Sequence, residues 1–80
     1  MSTDSIRWGR TIRRLRINRL GMSQREFAEH LSGKVDGSLT QSAVAHWERG
    51  DASPSPRHRL AVAEAFEVPA EVLFAERELG

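Results

Sequence analysis

The stretch Thr40-Gln41-Ser42-Ala43-Val44-Ala45-His46-Trp47-Glu48-Arg49-Gly50 decides the reading of this 80-residue chain. Thr40 is suited to cap a helix, because its hydroxyl can accept from an otherwise orphaned N–H of the first turn. Gly50 is suited to end it, because glycine enters the left-handed conformation without a Cβ penalty. Between them, Val44 and Trp47 stand one turn apart and form an inward face. Setting Val44 at the origin of a helical wheel, Gln41, Ala45, Arg49, Ser42 and His46 follow one another over about 140° of arc. That stripe offers an amide, a small apolar gap, a guanidinium, a hydroxyl and an imidazole. Glutamine can pair bidentately with adenine, hydroxyls bond several base edges, and alanine or a threonine methyl can touch the thymine methyl. A bulky residue at Ala45 would hold such a helix away from base edges. Any solvated helix face is also polar, however, so the stripe alone is ambiguous.

Working outward, apolar residues recur at helical spacing throughout, with no strand-like alternation, internal repeat or low-complexity segment. A first helix is expected over residues 6–18, with Trp8, Ile12 and Leu15 inward and Arg7, Arg10, Arg13 and Arg14 elsewhere, ending at Gly21. Ser23 and Glu26 have the spacing of a capping box opening a second helix, whose apolar face is Phe27, Ala28 and Leu31. Ser32-Gly33 closes it, and residues 33–38 read as a loop containing Lys34. After Gly50 comes a turn over 51–54. Ser55, with Pro56 in the first helical position, opens a fourth helix expected to bury Leu60, Ala63 and Phe66. Pro69 begins a short fifth helix with Val72, Leu73 and Phe74. The expectation is an all-α protein of five short helices, a domain over 6–75 with flexible tails at 1–5 and 76–80.

Composition narrows the function. There is no cysteine, which removes disulfides, thiolate metal sites and a cysteine nucleophile. His30, His46 and His58 lack ligand-like spacing, so no metal and no cofactor are expected. No apolar run approaches the roughly 18 residues of a membrane span, and the first residues do not form a signal peptide; a soluble cytoplasmic protein is expected. The net charge of +1 conceals an asymmetry: residues 1–34 carry eight Lys/Arg against three Asp/Glu, and residues 35–80 four against eight. Such polarity suits a nucleic-acid or membrane partner, or is simply a solvated helix face. Glu48 and His46 point to different helix faces and no phosphate-binding loop is present, so an enzyme is not expected. Trp8 and Trp47 could serve as base-stacking platforms, but their spacing places them in the core.

The chain resembles the lambda-repressor-like helix-turn-helix family of phage repressors, Cro-type proteins and bacterial regulators. The resemblance rests on Ile12-Arg13-Arg14-Leu15-Arg16, Gly21-Met22-Ser23-Gln24-Arg25-Glu26-Phe27-Ala28, the stretch Thr40 to Gly50, Pro54, Leu60-Ala61-Val62-Ala63-Glu64-Ala65-Phe66 and Val68-Pro69-Ala70. It implies that Thr40, Gln41, Ser42 and His46 read bases in the major groove of double-stranded DNA. It implies backbone contacts from Ser23 and Gln24 at the start of the second helix, from Arg49, and from Arg7 and Arg10 on the first. Lys34 can touch phosphate from its loop or stay solvated; Arg57 and Arg59 are weaker candidates, with Asp51 close by. Arg16 and Glu48 resemble a structural pair joining the first helix to the end of the third.

Two departures bear on these expectations. There is one residue more than usual between Arg16 and Gln24. The connection between the second and third helices is also longer by about six residues than the tight turn of the motif, which leaves the tilt of the third helix open. The implied function is a sequence-specific transcriptional regulator, a repressor acting by occlusion, of bacterial or phage origin and nucleoid-associated. A homodimer on a two-fold operator is expected, through Val72, Leu73, Phe74 and Leu79, although these residues could instead cap the monomer core. The alternative is a protein-interaction module, antitoxin-like, on the same fold.

Overall fold

The computed structural model describes residues 3–35 and 37–76. These residues form helix α1 (Thr3–Leu15), a π-helical turn (Arg16–Leu20), α2 (Gln24–Ser32), α3 (Gln41–Arg49), α4 (Pro56–Phe66) and α5 (Ala70–Leu73), with no strand among them. Residues 3–5, expected in a flexible tail, are the first turn of α1, with Asp4 suitably placed near the positive end of the helix dipole. Leu79 lies outside the described residues.

Local chemistry sets the helix ends. The Ser23 hydroxyl accepts from the Glu26 N–H at 3.0 Å, while the Ser23 N–H donates to Glu26 Oε1 at 2.9 Å, a complete capping box. Thr40 Oγ1 accepts from the Ala43 N–H at 3.2 Å. Ser55 caps α4 ahead of Pro56. Gly50 ends α3 at φ 82°, and a Cβ there would meet Ile6 Cγ1 at 2.8 Å. Glycine is therefore required twice over, by conformation and by space.

The segment between Arg16 and Gln24, longer by one residue than is usual for the motif, begins with the π-helical turn. There the Gly21 N–H reaches back to the Arg16 carbonyl, five residues earlier. Arg16 lies against α3, paired with Glu48.

The core is one cluster drawn from every helix: Trp8 and Ile12, Phe27 and Leu31, Val44 and Trp47, Val62 and Phe66, Leu73 and Phe74. Phe27 stacks on Phe66 with centroids 5.1 Å apart, and Phe74 meets Trp8 edge-on at 5.6 Å. Both tryptophans are buried. Two expectations are corrected. Leu60 is 65 % exposed, because α4 turns Ala61, Val62, Ala63 and Phe66 inward and a residue two places from Val62 falls on the opposite side. Of the described residues expected at a subunit contact, Leu73 and Phe74 close the monomer core, leaving Val72 outside, 63 % exposed.

The long connection between α2 and α3 is pinned at its base. Ser32 Oγ donates to the Ala28 carbonyl at 2.9 Å and accepts the Leu39 N–H at 2.8 Å, so one hydroxyl ties both ends of the loop together. Val35 and Leu39 pack against the core. The loop's extra length therefore leaves the ends of α2 and α3 in register.

Candidate nucleic-acid interface

Thr40, Gln41, Ser42, His46 and Arg49 are all exposed, and Ala45 between them is half-buried. The outer face of α3 presents them together because Val44 and Trp47 hold the opposite face in the core. Behind this face runs a continuous polar network. Arg16 grips Glu48 bidentately, Nε to Oε2 at 2.7 Å and a terminal nitrogen to Oε1 at 3.0 Å, and its other terminal nitrogen donates to the Met22 carbonyl at 2.8 Å. The pair is nearly buried, with side chains 9 % and 4 % exposed. Gln24 Nε2 donates to Glu48 Oε1 at 3.1 Å, and Gln41 Nε2 reaches Gln24 Oε1 at 3.5 Å. The ionic anchor between α1 and α3 is thereby linked, through the first residue of α2, to the first residue of α3.

A second cluster lies at the other end of α3. Arg49 Nε donates to Asp51 Oδ2 at 2.9 Å, and a terminal nitrogen lies 3.0 Å from His46 Nδ1. The hydrogen bond from Arg49 holds the Asp51 carboxyl below its ordinary value, against desolvation in the opposite sense. His46, Arg49 and Asp51 thus form one exposed cluster at the end of α3.

The remaining expected contacts are dispersed. Ser23 uses its hydroxyl in the capping box. Arg7 donates to Asp4 Oδ1 at 2.9 Å and to the Ala75 carbonyl, which also accepts Trp8 Nε1 at 3.1 Å, so its charge ties α1 to the C-terminal segment. Arg10 is exposed on α1 beside Thr3, Ile6, Arg7, Thr11 and Arg14. Lys34 ion-pairs with Glu64 of α4 at 3.0 Å. Arg59 lies 4.8 Å over the Trp8 ring and donates to the Pro54 carbonyl at 3.0 Å, a packing role, while Arg57 is exposed.

Arg13, which sequence reasoning left as a solvated side chain, stands in a different setting. It lines an open concavity of about 330 Å³ together with Arg16, Gln24, Ala45, Glu48 and Arg49. The signal was present: three residues before Arg16 on a helix is one turn away on nearly the same face. Among the described residues, no three His, Cys, Asp or Glu side chains gather where they could hold a metal ion, and no helix is long and apolar enough to cross a membrane.

A buried core behind a short helix whose outward residues are polar and flanked by arginines is the arrangement of a helix-turn-helix domain. The helix-turn-helix family model matches residues 12–73, from Ile12 of α1 to Leu73 of α5, and the chain belongs to this lambda-repressor-like family of DNA-binding regulators. No curated protein and no solved structure matched the chain.

Proposed function

We propose that the protein is a sequence-specific transcriptional repressor that lays α3 in the major groove of double-stranded DNA. The observation carrying this reading is the contact between Gln41 and Gln24, with Gln24 itself held by Glu48. A free glutamine amide can present either edge. Here Gln41 Nε2 lies 3.5 Å from Gln24 Oε1, which sets the two amides side by side, and the Gln41 amide still offers both a donor and an acceptor. That donor–acceptor pair matches N7 and N6 of adenine. Gln24 retains one Nε2 hydrogen for a backbone phosphate, next to the free N–H groups at the start of α2. Thr40, Ser42 and His46 complete the base-reading set; Arg49, Arg10 and the Ser23 turn supply backbone contacts that fix register. Arg7 and Lys34 are set aside, because their charges are met within the chain.

Repression follows by occlusion of the promoter, in a bacterial or phage-infected cytoplasm. One such domain covers a single half-site, so a homodimer spans two half-sites about one DNA turn apart. Its contact uses exposed Val72 and Leu60 rather than Leu73 or Phe74. The same exposed pair favours the second reading, a protein-interaction module.

Selection of bound sites from a random duplex pool, followed by mobility shifts over a range of salt, tests the proposal. The expected result is a two-fold symmetric motif, bound with an affinity that falls steeply with salt. Absence of duplex binding at low salt overturns it in favour of the protein-interaction module. Gln41→Ala is expected to cost about 1–3 kcal/mol and relax preference at one base pair.

A further inference from the structure

Basic residues crowd α1, yet they are not equivalent in place. Arg7 is spent on Asp4 and the Ala75 carbonyl, and Arg16 on Glu48 and the Met22 carbonyl. Arg10 and Arg14 lie along a cleft formed by α1 alone, away from the residues that surround Gln24 and Ala45. Arg13 differs from all of these. It is exposed, it has no acidic partner among the described residues, and it lines the concavity together with Arg16 of the π-helical turn, Gln24 of α2 and Ala45, Glu48 and Arg49 of α3.

The electrostatics of that concavity favour an anion. At its base the Glu48 charge is neutralised by Arg16 at 2.7 Å, so no uncompensated carboxylate faces inward. On the far side Arg49 shares its charge with Asp51 at 2.9 Å, outside the residues that line the concavity. Ala45, at the middle, is too short to fill the space. What remains in the lining is the guanidinium of Arg13 without an acidic partner, that of Arg49 shared with Asp51, and the amide of Gln24.

We infer that Arg13 binds a backbone phosphate of the same duplex whose bases α3 reads, holding that strand between α1 and the end of α3. The inference rests on the reading of α3 as the groove-binding helix. A guanidinium pairs well with phosphate oxygens, in two-pronged fashion where geometry allows. Because the contact is to phosphate, it strengthens all sequences alike and adds nothing to base preference.

The test compares wild type, Arg13→Ala and Arg14→Ala, which remove the same charge from neighbouring exposed positions. Each is titrated with the selected duplex and with a scrambled duplex over a range of salt. Arg13→Ala is expected to lower the magnitude of the log K against log salt slope by about 1 on both duplexes. Arg14→Ala is expected to change the slope by less than half as much, with thermal midpoints of both variants matching wild type. Ethylation of single phosphates gives an independent readout: one position should weaken wild type and leave Arg13→Ala indifferent. Equal slopes for the two variants, or no such phosphate, overturn the role of Arg13 alone. Failure of the wild type to bind any duplex overturns the reading of α3 and this inference with it.

Discussion

Glu26 and Glu48 are both acidic residues beside a helix end, and their surroundings give them opposite consequences. Glu26 is exposed, and its carboxylate accepts the Ser23 N–H; that backbone bond, then the one to the Ser23 side chain, holds its carboxyl below the ordinary value of 4.5. A folded-state value that is depressed stabilises the fold above the unfolded value and loses that contribution as pH falls through the folded one. NMR titration of Glu26 should therefore show a midpoint below 4.5, and Ser23→Ala should move it up toward that figure. Glu48 is buried against Arg16. Removing one partner of a buried pair strands the other charge, so Glu48→Ala is expected to cost about 3–5 kcal/mol in chemical denaturation. That is comparable with the whole stability of a small domain, on the order of 5 kcal/mol. Replacing both partners with apolar residues should recover much of the loss, because no charge is then left unpaired.

Between elements, the approach of α1 to α3 is controlled by Gly9. A Cβ at Gly9 would collide with the Trp47 carbonyl oxygen and lie 2.9 Å from that of Glu48, both backbone atoms that cannot swing aside. Gly9→Ala should destabilise by about 3 kcal/mol or more, as overpacking against a rigid surface does. The same substitution, if the variant folds, should loosen the Arg16–Glu48 pair and so the Gln24–Gln41 contact. Its thermal midpoint and its base preference should fall together, whereas Gln41→Ala changes only the second. Helix positions, caps and inward faces were legible in the sequence wherever residue type and spacing agreed, as at Ser23 with Glu26 or Thr40 with Gly50. Leu60 was misplaced because a fourfold run of apolar residues, Leu60-Ala61-Val62-Ala63, offers no unique inward face until α2 and α5 are in position.

At the scale of the molecule, the charge asymmetry along the sequence becomes an asymmetry of surfaces. Arg10, Arg13 and Arg14 stay exposed on α1, while Glu48 and Glu64 of the acidic half face Arg16 and Lys34 of the basic half. The exposed apolar residues Leu60 and Val72 belong to α4 and α5, the two helices that the proposed dimer would use. Val72→Glu is expected to leave the thermal midpoint unchanged, since the side chain is already in solvent. In sedimentation experiments it should shift a dimer to monomer and leave binding to one half-site. A dimer that survives Val72→Glu would place the contact elsewhere.

By itself the sequence determined the helical class, the caps, the exposed polar face of α3 and the pairing of Arg16 with Glu48 as an expectation of resemblance. Each of these is encoded in residues within a few turns of one another, or in a motif that spans them. Three matters were decided only by tertiary structure. The chain after Arg16 takes a π-helical turn, which no local preference announces. Ser32 closed the long loop by bonding Leu39 across it. And Arg13, whose spacing from Arg16 gives only its helix face, was set apart from the other arginines of α1 because packing brings it into one concavity with Gln24 and Arg49. A charge acquires a role from what stands opposite it, and that depends on how the helices pack.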